Sequence, residues 1–251
     1  MIGIAEKGMI NVQYSVKSSG GHASAPPVKS PIPTQAKACR SIIEHPFKMH
    51  LTKPVAEMFD TLARHSSFVY KLIFANLWCF KPVLDLICRS SGGEMNALVR
   101  TTTAFTMMEG STARNVLPTE ASLISNMRLN PDNSVASAEA YLKKTVNDDS
   151  VEITILESNE PSAISETGCE SWDKVAASVA ETWNGCIVTP YLMVQCSDSR
   201  HYGKISNHVY RFSAMDLTAE ERRSIHGNNE KIRLDCLYRS VEFYIRLLEK
   251  C

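Results

Sequence analysis

The sequence predicts a mixed α/β protein: an α+β unit of split β-α-β type, followed by a shorter α/β piece that does not close on itself. Three observations carry this. Residues 9–17, 99–108, 120–129 and 151–156 alternate in polarity or are rich in β-branched side chains, as strands are. Segments of helical spacing fall between the first and second of these and between the third and fourth. A polar stretch, residues 158–168, holds Pro161 and Gly168 and reads as a linker to the C-terminal piece.

In order, residues 9–17 (MINVQYSVK) form the first strand, and residues 18–27 (SSGGHASAPP) a loop of small residues, glycine and proline. Residues 33–44 form a helix with Pro33 near its first turn. Residues 53–64 and 67–88 are further helices, and SSGGE at 90–94 breaks the pattern. The strand at 99–108 connects through 110–118 to its antiparallel partner at 120–129. A helix from Asn133 to about Val146 leads to the strand at 151–156. The order β-α-(helical insertion)-β-β-α-β is that of a ferredoxin-like four-stranded antiparallel sheet with helices on one face. After the linker come a helix at 172–183, a strand at 185–194, a second strand at 207–212 and a terminal helix at 234–250. Two strands and two or three helices rarely enclose a core, and their edges need partners. The sequence therefore implies that structure upstream of this last piece is absent.

Lys plus Arg and Asp plus Glu both number 27, which removes the basic excess a nucleic-acid binder needs. The eight cysteines include no C-x-x-C pair, so a zinc ribbon is excluded and free thiols in a reducing cytoplasm are expected. The N-terminus has no signal-peptide pattern. Residues 67–88 (SFVYKLIFANLWCFKPVLDLIC) are the most apolar stretch, but Lys71, Lys81, Pro82 and Asp85 interrupt them. A spanning helix needs about 20 largely uncharged residues, so two short helices packed on a partner surface are expected, and no membrane partner. A peripheral membrane role for this hairpin is weighed against burial on its neighbours, and burial is favoured.

Four constellations could carry chemistry. His22 lies in a glycine-rich loop (GGHAS) where it could donate to an oxyanion, or be incidental to a surface loop. Asn115 and Arg128 flank a hairpin strand and could face one pocket; an arginine fork suits a carboxylate, and a sheet-surface salt bridge is the plainer reading. Ser197, Asp198 and Arg200 lie in SDSRHY, directly after an apolar run, where α/β sheets place ligand sites. Adjacent residues cannot form a serine triad, and no G-x-S-x-G elbow is present. His226, in IHGNNE, could present a ring nitrogen to a metal, but one histidine is not a metal site.

Taken in order, the stretches GIAEKGMINVQYSV, GGHASAPP, TTTAFTMMEGSTARNVLP, ASLISNMRLNPDNS, SDSRHY and IHGNNE resemble the carboxypeptidase S/aminoacylase branch of the zinc exopeptidases. That family also includes glutamate carboxypeptidase and succinyl-diaminopimelate desuccinylase. The resemblance implies a catalytic α/β domain holding two zinc ions, interrupted by a smaller lid that dimerises. On it, residues 1–8 end a catalytic segment, 9–157 form the lid with an insertion at 53–88, and 158–251 are the C-terminal part of the catalytic domain. It further implies that His22 reaches the partner subunit's site and stabilises the oxyanion. Asn115 and Arg128 would hold the substrate, Arg128 by its terminal carboxylate. The SDSRHY loop would bind substrate, and His226 would be the last zinc ligand. Cys196 and Ser197 depart from the Gly-Thr that members often carry.

The family's other ligands, in an H-x-D motif, a bridging aspartate, a glutamate pair and a further acid, precede the lid. The residues here begin after them, so this chain alone is expected not to complete a zinc pair. Two functions are compatible with this. The first is part of a zinc hydrolase that cleaves the amide of N-acyl amino acids or short peptides with a free carboxylate. The second is a non-catalytic dimerisation or binding module from a truncated reading frame.

Overall fold

A computed structural model describes all residues, 1–251. The elements in chain order are β1 (Ile2–Glu6), β2 (Gly8–Lys17), β3 (Gly21–His22), α1 (Pro31–Glu44), α2 (Lys53–Arg64), α3 (Phe68–Ala75), α4 (Leu77–Ser91) and α5 (Gly93–Val99). Next come β4 (Thr102–Glu109), β5 (Val116–Leu117), β6 (Glu120–Leu129), α6 (Val135–Val146) and β7 (Glu152–Asn159). The last are α7 (Glu170–Thr182), β8 (Pro190–Met193), α8 (Ser199–Tyr202), α9 (Ala219–Ser224) and α10 (Leu234–Glu249).

The main sheet has the order β4-β6-β2-β7, antiparallel throughout. Period-two patterning fixes its faces. Ile10, Val12, Tyr14 and Val16 of β2 and Leu123, Met127 and Leu129 of β6 point inward, onto Ala38 and Ile42 of α1 and Ala138 and Leu142 of α6. Burying such a side chain stabilises by about 1.5–3 kcal/mol, so this face holds the two helices down. Tyr14 Oη and Ser125 Oγ, 3.2 Å apart, satisfy each other inside the layer. Ser134 caps α6 in a reciprocal box with Ser137, and Asn147 ends it in the left-handed region.

β1 and β2 are consecutive but belong to different sheets, with only Lys7 between them. β1 pairs in parallel with β8. One side of this small sheet packs on α2, where Ala5 and Leu192 meet Val55, Met58 and Phe59. The other side packs on α7 and α10 through Ile2, Val179 and Phe243. Gly8 starts β2 where a Cβ would stand 2.6 Å from the Asn159 carbonyl oxygen and 2.7 Å from Pro161 N, so no larger residue fits the crossing.

Several expectations are corrected. The strand expected at 99–108 begins at Thr102, because Val99 closes α5, a helix that starts at Gly93 inside the presumed break. The strand expected at 185–194 shrinks to Pro190–Met193, since the five residues of β1 are its whole partner. The strand expected at 207–212 is one bridge, Arg211 to Gly3. Burial of the α3–α4 hairpin holds for one side only, where Phe74, Leu77, Leu84 and Cys88 pack inward. Cys88 is its one buried residue, and its outer side is exposed.

The hairpin is held at its base by charge. Arg100, 1% exposed, donates Nη2 to Asp85 of α4 and Nη1 to the Phe47 carbonyl at 3.2 Å. Arg89 adds an Nε contact to Asp85 at 3.0 Å. Burial opposes ionisation of Asp85, but hydrogen bonds and charge from Arg100 and Arg89 hold its carboxyl below the usual range. The Asp85 contribution is therefore present above the ordinary carboxylate pKa and lost as pH falls through the lowered one. Asp85→Asn leaves a buried arginine unpaired and should cost about 3 kcal/mol. Urea titrations at neutral pH and about pH 3 check this: the variant loses the acid-sensitive part, and equal stability of both proteins at neutral pH would remove the clasp.

Candidate functional site

The sequence-selected residues separate into two groups, one at each end of the main sheet. At the first end, the chain leaves β2 and turns through Gly20 (φ +69°) and Gly21 (φ +140°), both strained for any other residue. A Cβ on Gly20 would also press on Thr119 Cγ2 at 3.0 Å and the Leu117 oxygen at 3.2 Å. The turn delivers β3 against β5, pairing Gly21 with Leu117 and His22 with Val116. Ala23 N donates to the Asn115 oxygen at 2.9 Å, so His22 and Asn115 lie side by side. Both are exposed. His22 Nδ1 accepts the Ser24 N–H at 3.2 Å and lies 2.7 Å from Ser24 Oγ. An Nδ1 that accepts places the proton of the neutral ring on Nε2, free to donate outward.

At the second end stands Arg128, paired in register with Met9 and Thr102. It lies eight residues along β6 from Glu120, about 26 Å from the His22 end. Asn115 and Arg128 of one chain thus cannot face one pocket, which corrects the hairpin expectation. Arg128 Nη1 donates to Cys196 Sγ at 2.9 Å and Nε to Asn126 Oδ1 at 3.2 Å. No carboxylate holds it.

Glu6, 1% exposed, organises the loop beside Arg128. One carboxylate oxygen accepts Ser197 N at 3.2 Å, Ser197 Oγ at 2.8 Å, Ser199 Oγ at 3.0 Å and Arg211 Nε at 3.3 Å. Burial lowers the Arg211 pKa, and the Glu6 charge opposes that. Lys7, equally buried, donates Nζ to the carbonyls of Ala97 at 2.7 Å and Arg100 at 2.6 Å. Burial first, and the Arg128 charge second, push its ammonium down to about 7.

Asp198 precedes the short helix α8, and its side chain makes no cap bond. Arg200 lines a polar cleft of 290 Å³ with His201 and Arg211, and its Nε has no partner. A larger cleft of 1080 Å³ joins Ser197, Ser199 and Arg211 to Tyr191, Met193 and Ile225. His226 follows Ile225 with φ +63°, exposed, its N–H donating to Glu230 at 3.2 Å. No three His, Cys, Asp or Glu side chains converge on a metal position. His226 therefore has no companion ligands, and the donor set present does not fit a zinc ion, which takes three or four.

Glu6, Lys7 and Arg211 were not singled out from sequence. The available signal was the pair Glu6-Lys7 closing the apolar run Ile2 to Ala5: charges inside such a run are buried or they end it.

Comparison with known proteins fits this arrangement. The family described as the M20 peptidase dimerisation domain matches residues 4–154. The chain is 32% identical over 251 residues to the N-fatty-acyl-amino acid synthase/hydrolase PM20D1 of Xenopus tropicalis, covering 99% of this chain and 49% of the relative. It is 30% identical to probable carboxypeptidase S-like 2 of Dictyostelium discoideum, covering 99% and 48%. The chain thus spans about half the length of the curated relatives it matches. The M20 metallo-carboxypeptidase Sso-CP2 of Sulfolobus solfataricus superposes with a TM-score of 0.65 at 14% identity, over 99% of this chain and 59% of that one. Human carnosine dipeptidase 1 does so with 0.60 at 14%, over 99% and 56%. These two likenesses are of fold. No helix is long and apolar enough to cross a membrane.

The Lys7 environment makes a pH prediction. Its folded pKa lies below the unfolded one, so between about 7 and 10.4 the unfolded chain holds more protons. Stability should rise with pH across that window through relief of the buried charge, and the rise should vanish in Lys7→Met. Urea unfolding of both proteins at about pH 6, 8 and 9.5 measures it; parallel curves would mean that Lys7 keeps its proton.

Proposed function

Because this chain belongs to the M20 peptidase family, whose dimerisation domain it carries, we propose that it forms the substrate-holding part of an amidohydrolase acting on N-acyl amino acids or short peptides with a free carboxylate. The observation that carries the proposal is the distance between the two groups. His22 with Asn115, and Arg128 with the Ser197 loop, stand about 26 Å apart along β6. One chain cannot bring both to a single amide; two chains can. β4 is an edge strand with Met107 and Met108 exposed. Pairing β4 antiparallel with its copy about a two-fold axis reverses one sheet against the other. The His22 end of one subunit then lies alongside the Arg128 end of its partner, and the homodimer holds two composite sites.

The roles follow from the chemistry. Arg128, free of any carboxylate, takes the substrate carboxylate by its guanidinium fork. Ser197, Asp198 and Arg200 line the binding loop. The partner's Asn115 orients the acyl carbonyl, and Nε2 of the partner's His22 donates to the oxyanion. None of these residues activates water. A zinc ion would supply that activation, and His226 is the one residue of this chain that would hold it, without companion ligands.

A second reading, a dimerisation module without catalysis, is favoured by the lack of companion ligands around His226. Zinc content separates the two: two ions per chain in purified protein would sink the module reading.

In an enzyme that hydrolyses such substrates, Arg128→Ala should raise KM and lower kcat/KM about ten- to a hundredfold. His22→Ala should lower kcat with KM little changed. A mixed dimer of His22→Ala and Arg128→Ala subunits keeps one intact composite site and should recover up to about half of the wild-type activity per dimer. Mixing that restores nothing would show that both groups act within one chain.

A further inference from the structure

The hairpin of α3 and α4 shows a helix surface that is apolar on its solvent side. On α4 the rows Trp78, Pro82, Leu86 and Cys79, Val83, Ile87 each repeat every four residues, so they form two adjacent ridges on one face. That face is turned outward: Trp78 is 82% exposed, Leu86 68% and Val83 55%. The opposite face, with Leu77, Leu84 and Cys88, packs inward. Phe68 and Val69, at 77% and 62%, extend the apolar surface from the start of α3. A solvent-facing helix side normally carries charge, and an apolar surface of this extent marks an interaction site.

We propose that this hairpin is an interfacial anchor that lies flat on an anionic lipid surface. Charge selects the occupant. Residues 67–91 carry Lys71, Lys81 and Arg89 against one acid, Asp85, and that acid is turned inward to Arg100 and Arg89. Lys71 is exposed beside Phe68 of the apolar surface, and Lys81 is exposed on the flank of α4 that carries Leu77 and Leu84. Anionic headgroups complement these cations, whereas a second copy seated face to face sets lysine against lysine. Tyr70 and Trp78 are the aromatic types that settle at the boundary between acyl chains and headgroups. Length excludes crossing: α4 has 15 residues, about 22 Å, against a hydrocarbon core of about 30 Å. The helix therefore lies in the plane of the surface, and the Asp85–Arg100 clasp holds its apolar side outward before contact.

The test uses the 251-residue chain and sucrose-loaded vesicles of about 70:30 phosphatidylcholine and phosphatidylserine at about 0.1 M salt. The wild type should co-sediment. Trp78→Ser with Leu86→Ser should weaken binding at least about tenfold, since each buries a large apolar side chain. Lys71→Gln with Lys81→Gln should weaken binding to these vesicles and leave any binding to pure phosphatidylcholine unchanged. Trp78→Phe guards against a misfolded double variant: it should keep binding within about twofold and lose the quenching that bromolipids impose on wild-type tryptophan fluorescence. Three outcomes overturn the proposal. They are no binding by the wild type, undiminished quenching in Trp78→Phe, and self-association that Trp78→Ser with Leu86→Ser abolishes while vesicle binding is unaffected.

Discussion

Glu6 is a carboxylate sealed from water at the end of a strand, and it receives four hydrogen bonds from three residues that lie nearly two hundred positions away. A buried anion left without such donors costs several kcal/mol. The Ser197–Ser199 loop and Arg211 therefore have one low-energy arrangement, around Glu6. Lys7, next in sequence, points the other way and ties the carbonyls at the end of α5. Two adjacent charges thus fix the C-terminal loop on one side and the helical insertion on the other. Gly8 then sends the chain into the main sheet through a gap that admits no side chain. The position of the Ser197 loop relative to Arg128 follows from this crossing together with the hydroxyls of Ser197 and Ser199 that meet Glu6.

The same sheet that carries Arg128 sets the distance to His22. A strand is stiff and rises by a fixed amount per residue, so ten-residue β6 works as a spacer between the two proposed groups. Such a spacer is of no use to a site within one chain and well suited to one shared by two. A two-fold operation exchanges the ends without any bending, and the free edge of β4 is available for it. In the proposed reading, dimerisation and catalysis are coupled because β6 holds the two proposed groups apart.

Legibility in the sequence followed the range of the forces involved. Strand β6 at Glu120–Leu129 and helix α2 at Lys53–Arg64 are legible to the residue, because hydrophobic periodicity is a local signal. Helix α5 was missed because Gly92 and Gly93 look like a break. Their positive φ angles in fact turn the chain so that α5 begins where α4 ends. Strand β1 was missed because a five-residue run buried on both faces carries no alternation. The Glu6 network has no local signature at all, and a sequence shows the charges without their partners. The outward apolar face of α4 was visible as a run of hydrophobic residues, but which side of the helix faced solvent was decided by the inward pull of Asp85 on Arg100.

The balance of charge around the loop supports the proposed role in binding a carboxylate. The buried carboxylate Glu6 is engaged by Arg211, and Lys7, Arg128 and Arg200 donate no hydrogen bond to it. Lys7 is spent on two backbone carbonyls, where burial already drives it toward its neutral form. Arg128 is left with a thiol and an amide oxygen, both weaker partners than a carboxylate. An arginine cannot relieve its charge by losing a proton under ordinary conditions, so this cation retains unmet capacity for an anion. In the proposed role, a substrate carboxylate would take the place of the Cys196 contact. That unmet capacity, more than any single contact, is what supports the proposed preference for an acid over a neutral amide.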